Sequence, residues 1–483
     1  MMAAWLNCCL LAGALFATWT SQAAPAPSEI SAAESWPQFR GPHGLGVAAG
    51  GRPPIHFSPD SNVVWQTPVA RGHSSPCIWG DHLFLTASEH GKLIVIDFER
   101  ATGRIRWQRE ISPDKIERGH PNGSPATSTP TTDGRRLYVY FGSHGLLAYD
   151  FEGALLWDKP LPVPVTQHGA SSSPILARDK LILVCDQDEG SYLLAVDPAT
   201  GRAVWRTERP GFRRSFSSPL AFPLENPRQV IVAGTLRVVS YDLGTGEEIW
   251  RAGGVPNELC ATPVTDGTLI FAGGWTMGSG VSHMPSFGSV LEAFDENHDG
   301  KISQAEAKGG LARQHFPYID ANKDGFITRE EWEGIAKIFD SSQNCLLAIR
   351  PDGRGDVTDD HVVWRQKKGM PYVPSPLVCG GRVYLVKNGG LASCLEAATG
   401  QVNYLEERLG ALGDYYSSPI AAGEYLFASS QHGDVVVWRQ GPRIEVVAVN
   451  RLGEGVMATP AFVGGTLYLR TESKLYAFRE PSP

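Results

Sequence analysis

A four-part unit recurs along this chain and constrains its possible folds more than any other feature. One copy, residues 171–205, contains four short apolar or β-branched runs separated by polar turns. Pro174 begins the first run, which suits a residue that cannot donate to a strand ladder. Asp197, Pro198 and Gly201 supply the chemistry of a tight turn before the last run. The unit is therefore predicted to be a four-stranded antiparallel meander.

Eight copies of the opening step and seven closing aromatic residues mark repeats of this unit. The opening steps are Ser75-Pro76, Thr129-Pro130, Ser173-Pro174, Ser218-Pro219, Thr262-Pro263, Ser375-Pro376, Ser418-Pro419 and Thr459-Pro460. The closing residues are Trp65, Trp107, Trp157, Trp205, Trp250, Trp364 and, once, Tyr404. The prolines from Pro130 to Pro263 are spaced by 44, 45 and 44 residues. This period predicts an all-β, eight-bladed β-propeller, with a solenoid or two sandwiches as the alternatives.

The two ends of the repeat array are each incomplete. Residues 62–67 read as a fourth strand without the three strands that precede it in a full unit. Residues 458–479 contain three strands and lack the fourth. We therefore predict that strand 62–67 completes the last blade and closes a propeller that spans 62–483 without covalent linkage.

The chain begins with features of a secretory signal peptide. Residues 3–19 are apolar, and Ser21 and Ala23 are small residues at the expected positions of a cleavage site. We predict a signal peptide at 1–23, export to the periplasm or secretion, and then an N-terminal linker and extended segment at 24–61. No lysine or arginine precedes the apolar run, so an uncleaved anchor is the alternative. No later stretch is long and apolar enough to span a membrane, so no transmembrane domain is expected after cleavage.

Charge and cysteine content limit the partners and the chemistry. The formal net charge is −8, which argues against a nucleic acid or an anionic membrane as a partner. Six scattered cysteines follow the signal segment: Cys77, Cys185, Cys260, Cys345, Cys379 and Cys394. None forms a close metal-binding pair or a haem-attachment motif. Export permits disulfides, but we expect mostly buried free thiols, and the sequence leaves any pairing open.

The closing turn of the unit carries a family resemblance. The sequence AVDPATGRAVW at 195–205 is echoed at 241–250 and 395–404. It resembles the tryptophan-docking repeat of the pyrroloquinoline-quinone (PQQ)-like β-propellers, which include quinoprotein alcohol dehydrogenases and the propeller lipoprotein of outer-membrane protein assembly. The resemblance covers nearly all of the chain after the signal segment. It implies a fold much more than a function. Independently of the resemblance, the repeated tryptophan is expected to pack between adjacent blades, because a large flat ring buries much area there.

One blade, the fifth, carries an insertion with a different composition. From Pro263 to Pro376 is 113 residues, and the excess lies between strand-like segments 269–274 and 346–349. Within it, 295–306 and 320–331 both match the calcium-loop pattern D-x-[DN]-x-[DN]-G-x₅-E. Two complete matches resemble an EF-hand pair, which we assign to 286–340. Chance acidic surface turns are the alternative.

The loop spacing identifies the atoms that would bind calcium. Calcium takes six to eight oxygen ligands, from loop positions 1, 3, 5, 7 (a carbonyl) and 12, and a glycine at position 6 permits the turn. The predicted ligands of two sites are Asp295, Asn297, Asp299, the Lys301 carbonyl and Glu306, then Asp320, Asn322, Asp324, the Phe326 carbonyl and Glu331. Ile302 and Ile327 should pair the loops through a short β-bridge. We expect calcium to act as structure rather than as a switch, on an insertion that flanks the mouth of the central channel.

Histidines also concentrate on the channel face of the predicted ring. They are His73, His120 and His168 before opening strands, and His90, His144 and His432 in turns between second and third strands. A ring of imidazoles that binds an anion or a transition metal is one interpretation; solvent-facing turn residues are the other. Arg213, Arg214, Tyr372, Tyr415 and Tyr416 share that rim and fit either ligand binding or packing.

The sequence gives no catalytic constellation, and we predict a binding protein. No nucleophile, phosphate-loop or paired-acid motif is present. Quinoprotein dehydrogenases clamp their cofactor with adjacent cysteines, a tryptophan floor, an acidic base and calcium ligands. The only adjacent cysteines here are Cys8 and Cys9, within the signal segment. We predict an exported calcium-binding scaffold with a protein, peptide or polysaccharide partner; the alternative is a PQQ-dependent oxidoreductase.

Overall fold

A ring of eight antiparallel sheets forms the body of the protein. The computed structural model describes residues 34–481 except 118, 167, 278 and 280–283, so the predicted signal segment and the first part of the predicted linker lie outside the described residues. Within these residues, eight sheets each contain four strands in simple meander order, and two sheets gain a fifth strand. The all-β eight-bladed propeller is therefore confirmed.

The first four blades follow one another along the chain. The first contains Ser35–Trp36, Cys77–Trp79, His82–Glu89, Lys92–Glu99 and Ile105–Ile111. The second contains Thr131–Thr132, Arg136–Phe141, Gly145–Asp150 and Leu155–Pro160. The third contains Ile175–Ala177, Lys180–Cys185, Tyr192–Val196 and Ala203–Glu208. The next contains Leu220–Phe222, Gln229–Gly234, Arg237–Asp242, Glu248–Gly253 and the added parallel strand Gly355–Asp356.

The remaining four blades include the one that is interrupted by the insertion. That blade contains Val264–Thr265, Ile270–Gly274, Cys345–Ile349 and Val362–Gln366. The next two contain Leu377–Cys379, Arg382–Lys387, Leu391–Glu396 and Val402–Arg408, then Ile420–Ala422, Tyr425–Ser429, Asp434–Arg439 and Val446–Arg451. The last contains Ala461–Val463, Thr466–Arg470, Lys474–Arg479 and, from the other end of the chain, Val63–Pro68.

The insertion is the helical part of the described chain. It contains α1 (Phe287–Phe294), α2 (Gly310–Ile319) and α3 (Arg329–Ser341), and a two-stranded bridge of Ile302–Ser303 with Phe326–Ile327. These helices confirm the EF-hand region, and the bridge confirms the expected pairing of Ile302 with Ile327.

Each blade buries both faces of its inner strands against its neighbours. Five of the six residues of Lys180–Cys185 are buried, whereas the outer strand Ala203–Glu208 has no buried residue. This difference follows from the ring, in which a neighbouring sheet covers each face and only the outer strand meets solvent. All six cysteines in the described residues are free thiols, and four of them are buried, as expected.

The repeated tryptophans dock each blade onto the next. The indole N–H donates to a backbone carbonyl in the next blade's last turn. The bonds are Trp65 to Arg100 (3.0 Å), Trp107 to Phe151 (2.8 Å), Trp157 to Pro198 (2.9 Å), Trp205 to Leu243 (3.1 Å) and Trp364 to Ala397 (2.8 Å). Gly201 has φ +70° and lies on the Trp157 ring so closely that a Cβ would come within 2.8 Å of it. The glycine of the turn is therefore required by both backbone conformation and packing.

The segment before the first full blade is part of the ring. We assigned it to a linker and extended segment, but Ser35 and Trp36 pair with Trp79 and Ile78. The Pro37 carbonyl accepts from the backbone N–H of Thr132 at 2.9 Å. Further along, residues 46–48 exchange backbone hydrogen bonds with Ala421 on another blade. The segment thus crosses the centre of the ring, where it can bond to several inner strands at once.

Arg40 anchors this segment. Its side chain is fully buried, and Nη2 donates to the Pro376 carbonyl at 2.7 Å and to the Leu45 carbonyl at 3.2 Å. Burial lowers the pKa of Arg40 to about 9.

None of the described helices combines the length and apolar character needed to cross a membrane.

Candidate functional site

The eight opening steps meet around the axis of the ring in a closed belt of hydrogen bonds. In each blade the hydroxyl oxygen accepts from the backbone N–H of the equivalent residue in the blade before it. The bonds run Ser75 to Thr129 (2.9 Å), Thr129 to Ser173 (3.0 Å), Ser173 to Ser218 (2.9 Å), Ser218 to Thr262 (3.2 Å), Thr262 to Ser375 (2.9 Å), Ser375 to Ser418 (3.0 Å), Ser418 to Thr459 (3.0 Å) and Thr459 back to Ser75 (3.0 Å). We call these eight residues the hydroxyl belt.

The hydroxyl belt explains why every opening proline is preceded by serine or threonine. A hydroxyl is the side-chain group that can accept one backbone N–H and still donate its own proton. The sequence alone predicts only that these steps start strands, because each hydroxyl and the backbone N–H bonded to it are about one blade apart in the chain. The constant Ser/Thr at this position was the available signal.

A cavity of about 240 Å³ lies at the centre of the ring, and the hydroxyl belt forms part of its lining. Phe39 contributes from the N-terminal segment, and His73, His120 and His168 contribute from the inter-blade loops. The other named rim residues have different roles. Tyr372 and Tyr416 line the cavity, whereas Tyr415 is fully buried and its hydroxyl donates to the Ala411 carbonyl at 3.0 Å.

Two histidines and the one glutamate of this cavity have pKa values shifted towards their uncharged forms. Burial, with a contribution from Arg470, lowers the pKa of His73 to about 4. Burial also lowers the pKa of His168 to about 4, and it raises the pKa of the Glu258 carboxyl. The residues that line the cavity include no lysine, arginine or aspartate. At neutral pH both imidazoles are therefore uncharged.

The structure separates the two sets of histidines. His120 and His168 are adjacent, with ring centroids 5.4 Å apart. The turn histidines lie elsewhere: the His90 side chain is 88% exposed, and His144 Nε2 bonds to Asp158 at 2.9 Å. Among the described residues, none of these histidines belongs to a group of three or more histidine, cysteine, aspartate or glutamate side chains that could hold a metal. The predicted imidazole ring is therefore not assembled as a metal site.

The first calcium loop is held by hydrogen bonds from its own backbone. The backbone N–H of Gly300 donates to Asp295 Oδ2 at 3.0 Å, and the N–H of Asp299 donates to Asn297 Oδ1 at 2.9 Å. The Glu306 carboxylate accepts from the backbone N–H of Ser303 at 2.9 Å and from its hydroxyl at 2.7 Å. These bonds hold the pKa of Glu306 below its usual range. Glu306 is thus charged and oriented towards the loop.

The second loop repeats this network and is more deeply buried. The backbone N–H of Gly325 donates to Asp320 Oδ2 at 3.1 Å, and Thr328 and Glu331 form a reciprocal capping box at the start of α3. Asp320 is only 5% exposed, and its other oxygen, Oδ1, has no hydrogen-bond partner. An unpartnered buried carboxylate oxygen at loop position 1 fits a cation. The residues present therefore fit calcium.

The insertion packs against the rim of the cavity through α2. Tyr318 lies beneath the guanidinium groups of Arg213 and Arg214, whose Cζ atoms are 4.3 and 3.8 Å from its ring centre. Arg213 Nη2 also donates to the Tyr318 carbonyl. Arg214 Nε pairs with Asp188 at 2.8 Å, with both side chains buried. The contact joins the end of α2, immediately before Asp320, to the ring.

A second cavity lies between α2 and the ring. It has a volume of about 520 Å³ and is lined by Gln304, Arg313, Gln314 and Pro317 on the insertion side. His120 and His168 line both cavities. The insertion therefore flanks the mouth of the central cavity.

These features define the class of the protein as an eight-bladed β-propeller with an inserted pair of helix-flanked acidic loops, and two family models match parts of it. Residues 94–276 match the family model described as outer membrane protein assembly factor BamB. Residues 287–306 and 314–336 match the EF-hand model. No curated protein sequence matches the chain significantly.

Solved structures share the fold at low sequence identity. BamB from Moraxella catarrhalis is 15% identical, with a TM-score of 0.54, over 86% of this chain and 98% of that chain. Quinohemoprotein alcohol dehydrogenase from Comamonas testosteroni is 11% identical, with a TM-score of 0.58, over 94% of this chain and 82% of that chain. A europium-containing methanol dehydrogenase is 10% identical, with a TM-score of 0.59, over 92% of this chain and 98% of that chain. At these identities the similarity concerns the fold alone.

The central cavity does not match the cofactor clamp that the dehydrogenase resemblance implies. PQQ carries three carboxylates, and the lining supplies no lysine or arginine to neutralise them, while burial keeps His73 and His168 uncharged at neutral pH. Cys260 is the only cysteine among the lining residues, and no tryptophan is among them. The adjacent pair Cys8-Cys9 lies outside the described residues. These residues do not fit PQQ.

Proposed function

We propose that this chain is an exported calcium-binding β-propeller that acts as a scaffold for a protein or polysaccharide partner. The observation that carries the proposal is the pair of equivalent loops, with the unpartnered Asp320 Oδ1 in the second. The class of the fold supports a binding role, because propeller rims present several loops on one face. Export is the part of the proposal that rests on the sequence of residues 1–23.

Two calcium ions are proposed, one in each loop. The residues assigned to the first are Asp295, Asn297, Asp299, the Lys301 carbonyl and Glu306. Those assigned to the second are Asp320, Asn322, Asp324, the Phe326 carbonyl and Glu331. The ions would neutralise the clustered carboxylates, while the chain's own backbone N–H groups hold those carboxylates in place. Extracellular modules of this type bind calcium with dissociation constants on the order of 0.1–1 mM.

Calcium is proposed to fix the position of α2 on the ring. Asp320 directly follows α2, and Tyr318 at its end contacts Arg213 and Arg214. An ion in the second loop would therefore restrict the same chain segment that packs on the cavity rim. This supports a structural role, in which calcium maintains one shape of a docking surface. A partner protein is supported by the matched family, whose description names an assembly factor.

The test is a calcium titration of the chain lacking residues 1–23, followed by calorimetry and thermal unfolding. We expect two ions per chain and a higher melting temperature in calcium, with magnesium much less effective. Glu306→Gln and Glu331→Gln should each remove one ion. Glu333→Gln, an exposed change of the same charge on α3, is the control and should retain both. A chain that binds no calcium, or binds it equally well in all three variants, would refute the proposal.

A further inference from the structure

The central cavity of the ring has a second, distinct chemistry, and we propose that it binds a neutral polyhydroxylated ligand the size of one sugar ring. The inference deepens the proposed scaffold function, because it names a ligand class for the ring itself. It does not depend on the calcium loops.

The hydroxyl belt gives the cavity an unusual supply of hydrogen-bond donors. Each of its eight oxygens accepts one backbone N–H, yet none donates its own proton to an acceptor among the described residues. All eight residues are at most 4% exposed and line the cavity. A hydroxyl that has accepted one bond can still donate one. A ligand rich in oxygen atoms would satisfy these donors, which otherwise face only water.

Aromatic rings supply the apolar part of the same surface. Phe39, Phe216, Tyr372 and Tyr416 all line the cavity. The Tyr416 hydroxyl accepts from Asn122 Nδ2 at 3.0 Å, which holds the ring in one orientation at the wall. The C–H face of a sugar packs on such rings, while its hydroxyls bond at the edges. Aromatic faces and hydroxyl groups therefore meet in one cavity.

The charge of the cavity disfavours anionic ligands. Its lining has no lysine or arginine, and Glu258 is its one acidic side chain. The guanidinium groups nearby do not line the cavity and have partners of their own: Arg214 Nε pairs with Asp188, and Arg470 Nη1 donates to the Ser74 hydroxyl at 2.9 Å and to the Thr86 carbonyl. An anion that entered would lose hydration without gaining a counter-ion. A neutral ligand has no such cost.

The shape of the cavity indicates how a chain of sugars would enter. Phe39 and the fully buried Arg40 belong to the N-terminal segment that crosses the centre of the ring. The volume of about 240 Å³ is enough for one pyranose unit and little more. The second cavity shares His120 and His168 with the first and continues towards α2. The ligand is therefore a free sugar or the terminal unit of a chain, with further units directed towards the insertion.

The test is ligand-observed NMR and calorimetry on the chain lacking residues 1–23, in calcium. The probes are glucose, N-acetylglucosamine and cellobiose, with glucuronate and PQQ as anionic probes. We expect at least one neutral probe to bind in the millimolar to micromolar range, as suits so small a ligand, and the anionic probes not to bind. Binding of the anionic probes alone, or of none of the neutral probes, would overturn the inference.

Variants locate the binding. Tyr416→Ala should lower the affinity for the neutral probe that binds best about tenfold, which corresponds to one aromatic contact. Tyr416→Phe should restore most of that affinity. Thr262→Val, which keeps shape and removes one belt hydroxyl, should also weaken it. Tyr425→Ala, a half-buried tyrosine outside the cavity, is the matched control. Equal affinity in Tyr416→Ala, Thr262→Val and the parent chain would place the sugar elsewhere and refute the site.

A calcium titration on the same samples separates this inference from the proposed calcium sites. A chain that binds sugar but not calcium would refute the calcium sites alone. A chain that binds calcium but no neutral sugar would refute the inference alone.

Discussion

The ring and the EF-hand insertion are stabilised by contacts of opposite range. In the ring, Thr459 bonds to Ser75 across 384 residues, and each tryptophan bonds to the blade that follows it. In the insertion, Gly325 bonds to Asp320 and Ser303 bonds to Glu306, within five residues. Among the described residues the two regions are linked by Tyr318 with Arg213 and Arg214, and by Ser342, directly after α3, with Asn257. Hydrogen bonds between distant residues thus hold the ring together, whereas hydrogen bonds within a few residues hold the loops of the insertion.

This contrast indicates which substitutions should destabilise the whole molecule and which should act only near the substituted residue. A substitution at a blade interface should destabilise the whole ring, because closure makes every blade a partner of the next. A substitution in a calcium loop should act locally, except where α2 transmits it to the rim.

The largest expected effect is at a docking tryptophan. Trp157→Ala removes the ring on which Gly201 packs and the bond to the Pro198 carbonyl. We expect the free energy of unfolding in urea to fall by about 3 kcal/mol. Leu155→Ala on the same strand is the control, because Leu155 is 53% exposed, and it should change stability by less than about 0.5 kcal/mol. Similar effects for both variants would contradict the docking role.

The next effect is the acid sensitivity of the cavity wall. The pKa of His73 is lowered to about 4, below its ordinary value near 6.5, so the folded state excludes a proton that the unfolded state binds. This contribution to stability is present above about pH 6.5 and is lost as the pH falls towards 4. When the pH is lowered from about 7 to about 4.5, the free energy of unfolding in urea should therefore fall by about 2 kcal/mol less in His73→Gln than in the parent chain.

The control for this prediction is His90→Gln, whose histidine side chain is 88% exposed. It should follow the parent chain at every pH. If His73→Gln also follows the parent chain, the imidazole is not held uncharged by the ring.

An intermediate effect tests the link between the two regions. At a calcium concentration about ten times the dissociation constant, an ion in each loop should raise the free energy of unfolding by about 1.4 kcal/mol. Glu331→Gln and Glu306→Gln should each abolish the calcium-dependent stabilisation from one loop. Only Glu331→Gln should also raise hydrogen exchange at residues 212–216, because Tyr318 of α2 contacts Arg213 and Arg214. Faster exchange there in Glu306→Gln would mean that both loops are coupled to the rim.

The smallest expected effect is at an exposed ion pair of the insertion. Glu333→Gln removes the partner of Arg329, whose Nη1 lies 3.1 Å from the carboxylate, and both side chains are about 60% exposed. Water screens such a pair, so thermal unfolding of the calcium-loaded chain should change by only a few tenths of a kcal/mol. A loss as large as that of Glu331→Gln would mean that acidic charge on α3, rather than ligand geometry, controls calcium binding.

The sequence alone determined the features that rest on local or repeated pattern. The eight Ser/Thr-Pro steps predict eight blades, and the Thr-Gly turns with their tryptophans predict docking. The spacing of acidic residues in 295–306 and 320–331 predicts the EF-hand loops, because each loop is a short segment whose geometry is set by its own residues. The ligand assignment within those loops is still a prediction.

Only the tertiary structure decided what the ring encloses. The hydroxyl belt, the central cavity and the course of the N-terminal segment depend on residues far apart in sequence, such as Arg40 and Pro376, which are 336 residues apart. The packing of Tyr318 on Arg213 spans 105 residues between two regions without a shared repeat. A repeat states how one blade is built, but the closed ring alone brings eight equivalent hydroxyls to one axis. The local sequence pattern therefore predicts the blades and the acidic loops, whereas the central cavity exists only because the ring closes.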